Sequence, residues 1–125
     1  MADKKRVLAI DDEMMMLELI ERMLTTEYDV NIVHSASDAL HFLNENHVDI
    51  ILLDIEMPNI SGFDFLYDIR KIPSYMHVPI IIVSGNKSLD FLNEAKNSSA
   101  ADVLTKPVKK EALISTIEKA LVKTA

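Results

Sequence analysis

The chain contains no cysteine, so neither a disulfide scaffold nor a thiolate zinc site is open to it. Glycine and proline are scarce, 2 and 4 of 125 residues. That is well under the ~12% they jointly make up in an average protein. No Gly/Pro-rich linker or repeat is present, and the few such residues mark boundaries between periodic segments. No apolar run approaches the ~18 residues of a membrane span. The start Met1-Ala-Asp-Lys-Lys-Arg leads straight into a short strand rather than the apolar core of a signal peptide. Basic residues are outnumbered, 13 against 20 acidic ones for a net charge of −7, which argues against a surface that holds nucleic-acid phosphates. What remains is an ordinary globular balance, 49% hydrophobic and 26% charged, at a length suited to one domain with its own core. The expectation is a soluble, acidic, cytoplasmic protein whose residues 1–125 form one domain, with no membrane association.

Five short apolar runs have strand character: Arg6–Ile10, Asp29–Val33, Asp49–Leu53, Pro79–Val83 and Asp102–Leu104. Val7–Ile10, Ile50–Leu53 and Ile80–Val83 are apolar at nearly every position, the pattern of strands buried on both faces of a helix-covered parallel sheet. Helical periods fall between them. The first predicts a buried stripe of Met16, Leu19, Ile20, Met23 and Leu24, with Met14, Met15 and Leu17 off it. The second carries Ala36, Ala39, Leu40 and Leu43, with Ser35 or Ser37 as N-cap. Phe63, Leu66 and Ile69 mark a third, Leu89, Leu92 and Ala95 a fourth, and Leu113, Ile114, Ile117 and Leu121 a fifth. Five alternating β–α units specify a doubly wound α/β domain, a parallel sheet with helices on both faces.

In such a sheet, ligands bind beyond the carboxyl ends of the strands, where strand order reverses. Asp11, Asp12 and Glu13 follow the first strand, Asp54 the third, Ser84 the fourth and Thr105-Lys106-Pro107 the fifth. Each has a bland reading, as a helix-capping run or a turn. Together they predict one pocket with carboxylates from two strand ends, a hydroxyl and an ammonium. Such a set suits Mg²⁺, which takes carboxylate oxygens and a substrate phosphate. It also offers a carboxylate able to form an acyl phosphate and a cation to neutralise phosphoryl oxygens.

The motifs V-L-A-I-D-D-E, I-I-L-L-D-I-E-M-P-N-I-S-G, P-I-I-I-V-S-G and V-L-T-K-P resemble, over essentially the whole chain, the response-regulator receiver domain of two-component signalling. The resemblance implies the flavodoxin-like strand order 2-1-3-4-5, with Asp54 as phosphoacceptor. It implies Mg²⁺ ligated by Asp12, Asp54 and the backbone carbonyl of Glu56, with Asp11 acting through water. Ser84 takes the place of the switch hydroxyl, and Lys106 that of the phosphate-binding lysine, followed by a cis bond to Pro107. The partners implied are a sensor histidine kinase or histidine phosphotransfer protein as donor, and a downstream effector. The activity implied is self-catalysed phosphorylation and hydrolysis, not that of a dedicated metabolic enzyme. Val103 stands where the family usually has an aromatic residue that changes rotamer, and Ser99-Ala100 where it usually has Gly-Ala. Glu56, two residues past Asp54, occupies a position that tunes phosphoryl lifetime in the family.

Two alternatives use similar parts. A haloacid-dehalogenase-like phosphatase also has a strand-end Asp, a hydroxyl, a Lys and Mg²⁺, but there the nucleophile strand comes first and the acidic pair last. A flavin carrier needs a Gly/Ser/Thr-rich phosphate loop after the first strand, where this chain has acids. Met14, Met15 and Leu17 are read as an adaptable apolar patch beside the pocket, suited to docking a partner helix. His34, His41, His47 and His77 show no ligand spacing and are expected at the surface. Tyr28, Phe42 and Phe91 are expected to pack rather than to form a stacking platform.

Overall fold

The computed structural model describes residues 4–58 and 60–124. The start Met1-Ala2-Asp3, Asn59 of the Asp54 motif and the terminal Ala125 lie outside them. The elements run β1 (Arg6–Ile10), α1 (Met14–Leu24), β2 (Asp29–Val33), α2 (Ala36–Glu45), β3 (Ile50–Asp54) and α3 (Gly62–Arg70). After a 3₁₀ turn at Pro73–Tyr75 come β4 (Ile80–Ser84), α4 (Leu89–Asn97), β5 (Asp102–Thr105) and α5 (Lys110–Thr124). All strand pairs are parallel and the sheet order is β2-β1-β3-β4-β5, as expected. The three uniformly apolar runs are the three inner strands. Residues 7–10 of β1 and all of β3 and β4 are buried, while the edge strands β2 and β5 are only partly so.

Side-chain alternation divides these strands between two cores. Val7, Ala9, Ile50, Leu52, Ile81 and Val83 face α1 and α5, against Leu17, Leu24, Leu113 and Ile117. Leu8, Ile10, Ile51, Leu53, Ile80 and Ile82 face α2, α3 and α4, against Leu43, Phe65, Ile69 and Phe91. Strand order reverses between β1 and β3, so the carboxyl ends of these two strands flank the crevice where this architecture places ligands.

Two helices sit in a different rotation from the one their periods predicted. In α1, Leu17 is fully buried with Ile20 and Leu24, whereas Leu19 is 42% exposed. Met14, Met15, Met16 and Leu17 are all apolar, so the pattern admits two registers, and packing on β1 and α5 selects the one that buries Leu17. The exposed apolar patch of α1 is therefore Met14, Met15 and Leu19, not Met14, Met15 and Leu17. In α4, Phe91 and Ala95 are buried while Leu89 is 73% exposed and Leu92 also faces out. The larger Phe91 ring takes the inner face, where it meets Phe63 at 6.0 Å between ring centres.

Ser35, Ser61 and Ser88 cap α2, α3 and α4 by accepting backbone N–H groups of Asp38, Asp64 and Phe91. Arg70 fastens the opposite end of the sheet. Its guanidinium donates to the carbonyls of Tyr75 (2.8 Å), Val78 (2.5 Å) and Ser99 (3.0 Å) and to Ser99 Oγ (2.9 Å). Ser99, the departure from Gly-Ala, is thus an anchor for the α4–β5 loop. The Tyr75 hydroxyl donates to the Asn46 carbonyl. All four histidines are exposed, and Tyr28 and Phe91 are buried packing residues, with Phe42 packed against the α2–α4 side.

Candidate functional site

The ladders place the site residues at the last position of a strand or one step past it. Asp11 N–H donates to the Val33 carbonyl (3.3 Å) and Lys106 N–H to the Ser84 carbonyl (2.9 Å), each continuing its strand's pairing by one residue. Asp54 ends β3 opposite Val83, and Ser84 ends β4 opposite Thr105. The Lys106–Pro107 peptide bond is cis.

Asp11 and Asp54, each only 2% exposed, share one local design. Each accepts through Oδ1 the backbone N–H two residues ahead, from Glu13 and Glu56 at 3.0 Å, the Asx turn that short acids favour. Each turns Oδ2 to the Lys106 ammonium, at 3.3 Å for Asp11 and 3.5 Å for Asp54. Glu13 Oε1 lies 3.5 Å from the same nitrogen. Asp12 is exposed, yet one oxygen from each of Asp11, Asp12 and Asp54 lies within 4.8 Å of the others. The sequence-predicted acids and lysine therefore meet in one place.

The electrostatics follow from burial. Loss of solvent pushes the Asp11 carboxyl up from 3.8 to about 6, with Asp54 adding to the rise and Glu13 N–H and Lys106 opposing it. Burial acts to lower the Lys106 ammonium, but Asp11 and Asp54 outweigh it, so the net direction is upward and the cation is held. One lysine against three acids leaves uncompensated negative charge. Hard oxygens converging on such a spot fit a divalent cation of the Mg²⁺ type.

Ser84, fully buried, is not engaged with Asp54. Its Oγ donates to Glu56 Oε1 at 2.5 Å and accepts the Asn86 N–H at 3.0 Å. The same Glu56 oxygen accepts Gly85 N–H at 3.1 Å. The Ser84 hydrogen bond is the leading cause holding Glu56 below its ordinary carboxyl range. The resemblance gave Glu56 a backbone carbonyl for the metal and a position that tunes phosphoryl lifetime, but the sequence did not show its side chain bonded to Ser84. No spacing rule links residues 56 and 84, since they meet only because β3 and β4 are neighbours. Val103, in place of the usual aromatic residue, is partly buried against the α2–α4 core.

The response regulator receiver domain family model matches residues 7–118. The chain is 32% identical over 122 residues to the 3',5'-cyclic-nucleotide phosphodiesterase regA of Dictyostelium discoideum, covering 94% of this chain and 15% of that protein. It is 37% identical over 93 residues to the luminescence regulatory protein LuxO of Vibrio campbellii, covering 74% of this chain and 20% of that one. The chain thus spans a fifth or less of either relative. Among solved structures, the Vibrio cholerae chemotaxis protein CheY4 matches with a TM-score of 0.89 at 28% identity, covering 94% of this chain and 99% of that one. A CheY-like receiver domain from Methanospirillum hungatei matches at 0.89 and 27% identity, covering 98% and 97%. The family match runs through both acid motifs, Ser84 and Lys106, and leaves the phosphatase alternative unsupported. The chain belongs to the response regulator receiver domain family, the phosphorylation-activated switches of two-component signalling.

Proposed function

We propose that residues 1–125 act as one receiver domain in which Asp54 takes a phosphoryl group from a phosphohistidine. The observation that carries this is the position of Asp54 Oδ2, 3.5 Å from the Lys106 ammonium at the carboxyl end of β3. A carboxylate oxygen of Asp54 attacks phosphorus, the phosphorus–nitrogen bond breaks, and its electron pair leaves with the imidazole. The product is a mixed anhydride on Asp54. In the second step, water attacks phosphorus and loses a proton, the anhydride P–O bond breaks, and Asp54 is restored with release of inorganic phosphate. Lys106 offsets charge growing on the phosphoryl oxygens, and Ser84 donates a hydrogen bond to one of them. Asp11, Asp12, Asp54 and the Glu56 carbonyl would hold Mg²⁺, which supplies further neutralisation of the same oxygens when bound. In this reading the chain catalyses only its own labelling and hydrolysis.

The donor is a sensor histidine kinase or a histidine phosphotransfer protein, and Met14, Met15 and Leu19 beside the acids offer it an apolar footing. The altered surface of the labelled form then controls a downstream partner. In this reading the domain works in the cytoplasm beside its phosphohistidine donor; no helix among the described residues is long and apolar enough to cross a membrane. Acetyl phosphate with Mg²⁺ should add one hydroxylamine-labile phosphoryl group, read by intact-protein mass, and Asp54→Asn should take none. Labelling of Asp54→Asn at the wild-type rate overturns the assignment.

A further inference from the structure

We infer that the Glu56 carboxylate is a built-in competitor for the hydroxyl proton of Ser84, so that an anion on Asp54 gains Ser84 only by displacing Glu56. The inference rests on the site reading above and concerns a residue side chain which that reading does not use. A serine hydroxyl has one proton to give. In this structure it is given to Glu56 Oε1 at 2.5 Å, the short separation of a hydroxyl bonded to a carboxylate, which is about twice as strong as a neutral pair. Ser84 is fully buried, so water does not compete for that proton.

The hold extends beyond one bond. Glu56 Oε1 also takes the Gly85 N–H at 3.1 Å, so the carboxylate pins the start of the β4–α4 loop. Asn86 N–H donates to Ser84 Oγ at 3.0 Å, Asn86 Oδ1 accepts Ser88 N–H at 2.8 Å, and Ser88 Oγ caps α4 through Phe91 N–H at 3.2 Å. Turning Ser84 away from Glu56 therefore disturbs a continuous hydrogen-bonded run from the β3–α3 loop to the first turn of α4. Glu56 is a positioning residue here: it sets where the hydroxyl points before any phosphoryl group arrives.

The test is a double-mutant cycle read by ¹⁹F NMR titration of fluoroberyllate, a tetrahedral phosphoryl mimic, into the full chain at saturating Mg²⁺. Glu56→Ala keeps the backbone carbonyl and should tighten binding by about tenfold, the worth of one charge-assisted hydrogen bond no longer competing. Glu56→Gln, a neutral acceptor, should fall between. In a Ser84→Ala background the same Glu56→Ala change should alter affinity by less than about twofold. A metal-free readout in EDTA accompanies it: the Gly85 amide proton should move upfield from wild type to Glu56→Gln as its acceptor loses charge. No tightening in Glu56→Ala overturns the competition. Equal tightening in both backgrounds also overturns it, because that is simple repulsion between two anions. A wild-type chain that fails to bind fluoroberyllate at all overturns the Asp54 reading itself, an outcome distinct from either.

Discussion

Replacing Asp11 with asparagine should stabilise the metal-free protein and at the same time remove its response to Mg²⁺. Burial raises this carboxyl from 3.8 to about 6, against the Glu13 N–H and with Asp54 adding to the rise. Between those two values the folded protein keeps a proton that the unfolded chain has released. Stability is therefore lost as pH climbs from about 4 through about 6, and the cost of the anion is complete above that window. At 1.36 kcal/mol per pKa unit the full cost is about 3 kcal/mol. Asparagine keeps the acceptor for Glu13 N–H, now 3.0 Å from Oδ1, but gives up the charge facing Lys106 at 3.3 Å. The rise to about 6 already contains the attraction of Lys106, so the expected gain approaches the full cost, about 3 kcal/mol. An unfolding entropy of ~2.1 cal/mol/K per residue turns this into a Tm increase of up to about 11 °C.

Thermal melts followed by circular dichroism in EDTA, at about pH 4, 6 and 8, should show the gain absent, partial and full in that order. Asp12→Asn, at an exposed position, should leave the metal-free melt nearly unchanged. Mg²⁺ at tenfold excess over its Kd should add ~1.4 kcal/mol to wild type and little to Asp11→Asn. An Asp11→Asn protein that melts below wild type at neutral pH in EDTA, or keeps the full metal response, refutes the reasoning.

Three further outcomes are expected. Gln at Met14, Met15 and Leu19, all exposed on α1, should slow transfer from a phosphohistidine protein at least several-fold while leaving acetyl phosphate labelling unchanged. Equal loss with both donors would show that the pocket, not a docking surface, had been damaged. In Gly62→Ala the new Cβ would run into the Ile55 carbonyl oxygen. Backbone must shift there, so unfolding stability should drop by about 1–3 kcal/mol, and an unchanged urea midpoint would sink the argument. Asn31 Nδ2 is buried on β2 with no hydrogen-bond partner among the described residues. Asn31→Val should therefore raise stability by about 1 kcal/mol, checked by the same denaturation curves, and a lower midpoint would mean the amide is satisfied in solution.

Element types and order were legible along the chain because they depend on short-range pattern. The solid apolar runs at Val7–Ile10, Ile50–Leu53 and Ile80–Val83 became the inner strands, and Ser35, one of two candidates, became the N-cap of α2. The convergence of Asp11, Asp12, Asp54 and Lys106 was legible too, since strand ends in a doubly wound sheet share one edge and these residues follow directly on strands. Helix rotation was not. With Met14 through Leu17 all apolar, period alone could not choose between Leu17 and Leu19. The choice came from which side chain fits between β1 and α5. In α4 the ring of Phe91 displaced Leu89 and Leu92 from the inner face for the same reason.

The least legible feature was the one between Glu56 and Ser84. Local sequence assigns the first to a loop and the second to a strand end, and nothing in either neighbourhood names the other as its partner. A strand's preference for being a strand is set by a few adjacent side chains. The partner of a carboxylate is set by whatever the sheet order brings within hydrogen-bond reach, here between residues 28 positions apart in the chain.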